Sequence, residues 1–265
     1  MARKSIPQNA DGTWTLVEPM EITTPELAAA MFSQPTGFSV KAAEIHHIPE
    51  LQCFGYTFQE PLTQPRPLNI DAARQLGVSG SESFRMLKSG FSVLNDDKSR
   101  LIHADEVCGP ANRPRKVTVL GDCSLVPPAM EALAMQSDVL VHEATLSILD
   151  KGKKMTTGGH STSAQAAIFA NKVKAQVLLL NHLPKTLNTY VKCKEWLYEA
   201  ESRIRGPTRV QLGYDHLEIL IPRNGFNFND VEASQSIWPD ERKKVKDTIE
   251  RIPKENGNQH VLQWR

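Results

Sequence analysis

Cysteine is scarce in this chain: there are four, Cys53, Cys108, Cys123 and Cys193, and none sits in a Cys-x-x-Cys pair. That argues against a cysteine zinc knuckle and makes a reducing compartment the simplest reading. Long apolar runs are missing too, and none approaches the roughly 18 residues that would span a bilayer. Arg3 and Lys4 lie near the start, but no apolar segment follows them, so no secretory signal is expected. Cytoplasm or nucleus is the default, an organelle stays open, and no membrane partner is expected. Neither sign of charge dominates, with 31 Lys plus Arg against 30 Asp plus Glu. Any nucleic-acid binding would therefore need a local basic patch rather than a whole-chain field. No internal repeat is visible, and the first histidine is His46.

What is present reads in three parts. Residues 1–37 are rich in Pro, Thr and Gln and are expected to be irregular, apart from a short helix over Pro25–Phe32 capped by Thr24. Strands are expected over Phe38–Ile45 and Cys53–Glu60, the second with Phe54, Tyr56 and Phe58 alternating onto one face. Residues 61–114 change character. Prolines lead into a helix over Ile70–Leu76, then a Gly/Ser bend, the stretch Phe84–Leu87 and a turn at Asn95-Asp96-Asp97. Such a segment reads as an arm inserted into the body, and it is more often functional than filler.

From Lys116 the pattern becomes regular. Strands at Lys116–Leu120, Asp138–His142, Gln176–Asn181 and Leu217–Ile221 alternate with helices at Pro127–Met135, Ala164–Lys172 and Thr189–Ile204. This is the signature of α/β layering. Residues 223–265 form a polar tail whose one ordered-looking piece, Pro239–Ile252, reads as a solvated helix or a disordered end.

The chemistry-bearing residues cluster at strand ends. Val117–Leu120 runs into Gly121 and Asp122, which sets a carboxylate at the edge of a sheet. His142, His160 and His182 each lie at the end of a strand or in the turn beyond it. Imidazole and carboxylate are ligands that zinc prefers, and an aspartate can bridge two ions. One metal-centred site built from these residues is the expectation.

The strings themselves are more specific. Leu120-Gly121-Asp122-Cys123, Val141-His142-Glu143-Ala144-Thr145, Gly159-His160-Ser161-Thr162 and Leu180-Asn181-His182 occur in that order. His46-His47-Ile48-Pro49 and Phe54-Gly55-Tyr56 precede them, and Leu212-Gly213-Tyr214-Asp215 follows. Over residues 38–222 this resembles the C-terminal portion of the ribonuclease Z family, the tRNA 3′-end processing endoribonucleases. The resemblance implies an α/β, metallo-β-lactamase-like αββα sandwich, largely its second half, with residues 61–114 as the inserted arm. It implies zinc-dependent hydrolysis of precursor tRNA after the discriminator base, with two zinc ions in the complete site.

Carried over by position, the resemblance makes His46 a ligand of one zinc, with His47 as its competitor. Asp122 would bridge the two ions and His182 would ligate the second. His160 becomes the catalytic histidine, and His142 and Glu143 orient the catalytic groups through hydrogen bonds. The arm would grip tRNA, with Arg66, Arg74, Arg85, Lys88, Lys98 and Arg100 available for phosphates.

Three departures stand out. Ser81-Glu82 replaces the family's Gly-Pro element in the arm, and Leu183-Pro184-Lys185 replaces its usual serine- and arginine-containing continuation. No His-x-His-x-Asp-His string exists in the chain. The expectation is therefore a truncated enzyme, one complemented by an N-terminal half encoded elsewhere, or an inactive RNA-binding or dimerising paralogue. A weaker alternative is a metallo-β-lactamase-fold hydrolase of another substrate. With half the sandwich absent, one face of the sheet should be apolar and exposed.

Overall fold

The computed structural model describes residues 5–18, 24, 37–61, 65–148, 158–185, 187, 190–214, 216–223 and 226. The expected helices at Pro25–Phe32 and within the tail lie outside these residues. Two compact units emerge. One comprises Met1–Leu16, Lys41–Phe58 and Lys116–Arg265, and the other Val17–Val40 and Gln59–Arg115.

The first unit is built on one sheet of seven strands: β1 (Thr13–Val17), β2 (Ser39–His46), β3 (Gln52–Gln59), β6 (Lys116–Leu120), β7 (Val139–Glu143), β8 (Val177–Asn181) and β9 (Arg209–Leu212). Their spatial order is β1-β2-β3-β6-β7-β8-β9. Strands β6 to β9 run parallel, with Val139 opposite Val177 and Glu143 opposite Asn181. Parallel strands are usually covered on both faces, so their sequences are near-continuous apolar runs such as Val-Leu-Leu-Leu.

Helices α4 (Pro128–Ala134), α5 (Ser163–Val173) and α6 (Tyr190–Glu201) join these strands. Pro128 opens α4, where a missing N–H costs nothing. A reciprocal box opens α5. The Thr162 hydroxyl accepts from the Gln165 amide at 3.1 Å, and the Gln165 side chain accepts from the Thr162 amide at 2.8 Å. The main core joins Ile45, Leu120, Met130, Leu140, Leu178, Leu180 and Trp196.

Several details depart from the sequence reading, among them β9 at Arg209–Leu212, where no strand was expected. Thr13–Val17 is a sheet strand inside the segment expected to be irregular. Leu217–Ile221 is not a strand; its alternating Leu217, Ile219 and Ile221 instead pack with Val117, Val139, Val141 and Val177 as an extended apolar segment. On the aromatic face of β3, Phe54 packs edge-on against Trp14 while its neighbours are more open. Tyr56 and Phe58 are 38% and 39% exposed, while Gly55 and Thr57, which alternate with them, are buried.

The second unit carries helices α1 (Ile70–Gln75), α2 (Ser81–Lys88) and α3 (Ala104–Val107) and the hairpin of β4 (Val93–Leu94) with β5 (Leu101–Ile102). Ala73, Val78, Leu87, Val93, Ile102 and Val107 give it a small core of its own. Asn69 caps α1 by accepting from the Ala72 amide at 3.1 Å.

Candidate metal and phosphate site

The site residues gather where the parallel strands end, the usual place for ligands in such sheets. Asp122 follows β6, Glu143 ends β7, His182 follows β8 and His47 follows β2. His160 lies just before the N-terminal cap of α5. Donor atoms of His47, Asp122 and His160 fall within 4.8 Å of one another, as do those of Glu143, His160 and His182. The ring centroids of His47 and His160 are 4.8 Å apart, and those of His160 and His182 are 5.2 Å apart and stacked. His182 Nδ1 stands 3.5 Å from Asp122 Oδ1.

Glu143 is the buried centre of this arrangement. Its Oε1 accepts from the Cys123 amide, the Ser161 amide and His160 Nδ1, each at 3.0 Å. Its Oε2 accepts from the Thr145 amide at 3.0 Å and the Thr145 hydroxyl at 2.6 Å. Burial pushes its pKa up, but the bonds from Thr145, Ser161 and Cys123 outweigh that and leave it below the ordinary value. With its carboxylate so occupied, Glu143 is poorly placed to ligate an ion. The same environment drives the neighbouring Cys123 thiol the other way, to about 12, through burial first and then the Glu143 charge. Cys123 is therefore not a nucleophile.

His142 is 2% exposed, bonds through Nδ1 to the Glu143 carbonyl at 2.8 Å and lies against Phe169. Burial lowers its pKa. It braces the strand end and belongs to neither donor group. His46 is also in neither; its side chain is exposed, and its backbone pairs with Leu125. The neighbouring His47 is the histidine brought beside Asp122.

Two contributors stand in the strings quoted above without a role having been read for them. Gly159 has φ +70°, and a Cβ there would lie 2.1 Å from the His47 carbonyl oxygen. Glycine thus permits the close approach in which His47 Nδ1 donates to the Gly159 carbonyl at 2.8 Å. Thr145 links Glu143 to His182, whose Nδ1 is 2.8 Å from the Thr145 hydroxyl.

No protein-family model matches the chain. It is 30% identical over 198 residues to a ribonuclease Z of Lactiplantibacillus plantarum, covering 75% of this chain and 61% of that one. It is 35% identical over 172 residues to a ribonuclease BN of Erwinia tasmaniensis, covering 65% and 54%. The matched stretch is homologous to ribonuclease Z. The chain spans a little over half the length of these curated relatives. Among solved structures it is similar to the short form of human tRNase Z at 20% identity and a TM-score of 0.40, over 80% of this chain and 48% of that one.

Within this matched stretch, the donor chemistry of His47, Asp122 and His182 suits a borderline cation such as zinc. All three are at least partly accessible, and among the described residues Asp122 makes no tight hydrogen bond that would compete, its contact to His182 being 3.5 Å. His47 lies within 4.8 Å of Asp122 and His182 Nδ1 at 3.5 Å from it, while the second donor group, Glu143, His160 and His182, shares His160 with the first and has its carboxylate occupied. In the arm, Arg66 is committed internally, to Asp105 at 2.7 Å and the Gly109 carbonyl at 2.7 Å. Arg100 bonds Glu106 at 2.5 Å, and Arg85 bonds the Ser81 carbonyl at 3.3 Å. Arg74, Lys88 and Lys98 are exposed. No helix among the described residues is long and apolar enough to cross a membrane.

Proposed function

We propose that this chain forms part of the site of a zinc-dependent endoribonuclease that hydrolyses precursor tRNA after the discriminator base. The observation that carries the proposal is the convergence of His47, Asp122 and His160 within 4.8 Å, in a chain homologous to ribonuclease Z. His47, Asp122 and His182 would hold the metal. Zinc, when bound, lowers the pKa of a bound water and offsets negative charge at a phosphoryl centre.

The chain's own residues do the rest. The Glu143 carboxylate accepts from His160 Nδ1 and fixes that ring's orientation. With Nδ1 so held, Nε2 is the nitrogen from which the protonated ring would give a proton to the leaving 3′ oxygen. Exposed Arg74, Lys88 and Lys98 would contact phosphates of the tRNA body, giving affinity that falls with salt.

The second reading is a chain that binds RNA without cutting it. Cleavage of a 3′-extended precursor tRNA tests both. The chain alone is expected to hold less than one zinc per chain and to cleave little. Co-expressed with a polypeptide carrying a His-x-His-x-Asp-His motif, it should cleave. His160→Ala should then abolish cleavage while metal content, read by elemental analysis, is kept. Cleavage undiminished by His160→Ala would overturn the assignment of the proton donor, and loss of metal in that variant would make His160 a ligand instead. Failure of the co-expressed protein to cut would leave the non-cleaving reading.

A further inference from the structure

The Thr145 hydroxyl stands at a crossing of polar groups. It is 2.6 Å from Glu143 Oε2, 2.8 Å from His182 Nδ1, 3.0 Å from the His182 carbonyl oxygen and 3.4 Å from His160 Nδ1. A hydroxyl has one proton to donate. The Glu143 carboxylate is the nearest acceptor, and a bond to an anion is the stronger kind. Sending the proton elsewhere would leave the hydroxyl's lone pairs facing a carboxylate oxygen at 2.6 Å.

With that proton committed, Oγ1 can only accept from His182 Nδ1. Nδ1 must then carry the proton of the neutral ring, and Nε2 is bare. Asp122 Oδ1, the other acceptor near Nδ1, is 3.5 Å away, beyond a good N–H···O bond. The backbone of His182 is held in the left-handed region at φ +49°, and its carbonyl lies within reach of the same hydroxyl.

We propose that Thr145 is a positioning residue that fixes His182 as the Nδ1–H tautomer and leaves Nε2 bare for a ligand. A bare imidazole nitrogen is the form that binds a metal ion or accepts a proton. The same hydroxyl ties Glu143 Oε2, leaving Oε1 to hold His160. One side chain thus sets the state of both histidines. The consequence for catalysis rests on the endoribonuclease reading, but the tautomer itself does not.

The test is the ring-nitrogen spectrum of the ¹⁵N-labelled full chain, dialysed against a chelator so that only protein partners hold the ring. Spectra are taken well above the pH at which imidazoles titrate, about 6.5. Two-bond proton–nitrogen correlations distinguish protonated from bare ring nitrogens, and His182 is assigned by loss of its signals in His182→Gln. His182 is expected as the Nδ1–H form in the unmodified chain and in Thr145→Ser. In Thr145→Val the proton should move to Nε2, the tautomer that a free side chain favours. An Nε2–H form in the unmodified chain overturns the proposal. So does an Nδ1–H form retained in a folded Thr145→Val. If the valine variant does not fold, the unmodified and serine spectra still decide. The Nδ1–H form together with a co-expressed pair that does not cleave would remove the endoribonuclease reading and leave the role of Thr145 intact.

Discussion

Replacing Glu143 with glutamine keeps the size and removes the charge, and the hydrogen-bond inventory fixes its effect. All five partners of the carboxylate donate: the amides of Cys123, Ser161 and Thr145, His160 Nδ1 and the Thr145 hydroxyl. Glutamine offers one oxygen and one NH₂. Its less damaging orientation turns the oxygen toward Cys123 and Ser161 and the NH₂ toward Thr145. The hydroxyl of Thr145 can rotate to accept, but its amide cannot. An amide left without an acceptor costs about 1–3 kcal/mol, and the bonds that remain lose the extra strength of a charged acceptor, roughly 1 kcal/mol each. Relief from burying a charge offsets part of this. The net expectation for Glu143→Gln is a loss of about 2–4 kcal/mol, read as a lower urea midpoint at pH 7.5. The sign with pH follows from the depressed pKa. The stability that ionised Glu143 contributes is complete above its unfolded value, near 4.5, and is lost as pH falls through the folded value. The gap between parent and variant should therefore narrow in acid. A variant within about 0.5 kcal/mol of the parent at neutral pH would refute the reasoning, since surface-type substitutions already span that range.

His142 stays neutral in the folded chain to below its ordinary 6.5 because it is buried, whereas the unfolded chain takes up the proton. Stability should thus fall as pH drops below about 6.5, by at most about 1.4 kcal/mol per pH unit. His142→Asn, which keeps a donor for the Glu143 carbonyl, should flatten that slope in denaturation series between pH 7 and 5; an unchanged slope would exclude His142 as its source. Glu199, buried in α6, accepts from the Ser147 hydroxyl, the Ile148 amide at 3.0 Å and the Ala164 amide at 3.2 Å. Glu199→Gln must turn an NH₂ toward at least one of these donors, costing about 1–3 kcal/mol. The expected sign is a fall of several degrees in Tm, and a Tm equal to the parent's would count against the inventory.

Those inventories also show where sequence reasoning reaches. The parallel strands were legible because strands covered on both faces have to be apolar throughout, as Val139–Val141 and Val177–Leu180 are. The opening of α5 was placed within one residue, at Ala164 rather than Ser163, although the capping pair Thr162 and Gln165 was not singled out. Strand β1 was passed over although Thr-Trp-Thr-Leu-Val is made largely of strand-favouring residues, because the polar and proline-rich composition of residues 1–37 as a whole pointed to irregular chain. Leu217–Ile221 misled for a different reason. Alternation reports which side chains are apolar, not whether the backbone finds a ladder. The uncertainty between His46 and His47 is a boundary problem. Ile45 is buried and His46 exposed at the end of β2, and only the exact end of the strand, after His46, determines which imidazole turns toward Asp122.

The site's organisation lies one layer behind the residues that a motif picks out. His47, His160 and His182 each have Nδ1 engaged by a protein acceptor: the Gly159 carbonyl, the Glu143 carboxylate and the Thr145 hydroxyl. Glu143 and Thr145 are two residues apart around the end of β7, and Gly159 directly precedes His160. The three rings are therefore fixed by a short stretch of backbone at one strand end and one turn, and each is left to act through Nε2. A set of imidazoles oriented in this way pays little reorganisation when a cation or phosphate arrives, which is the physical meaning of a preorganised site. Loss of a holding residue should then alter several rings together. Glu143→Gln, by releasing the Thr145 proton, should also move the proton of His182 from Nδ1 to Nε2, although Glu143 does not touch that ring. A His182 spectrum unchanged by Glu143→Gln would mean that the three rings are set independently, and that the chain Glu143–Thr145–His182 carries no coupling.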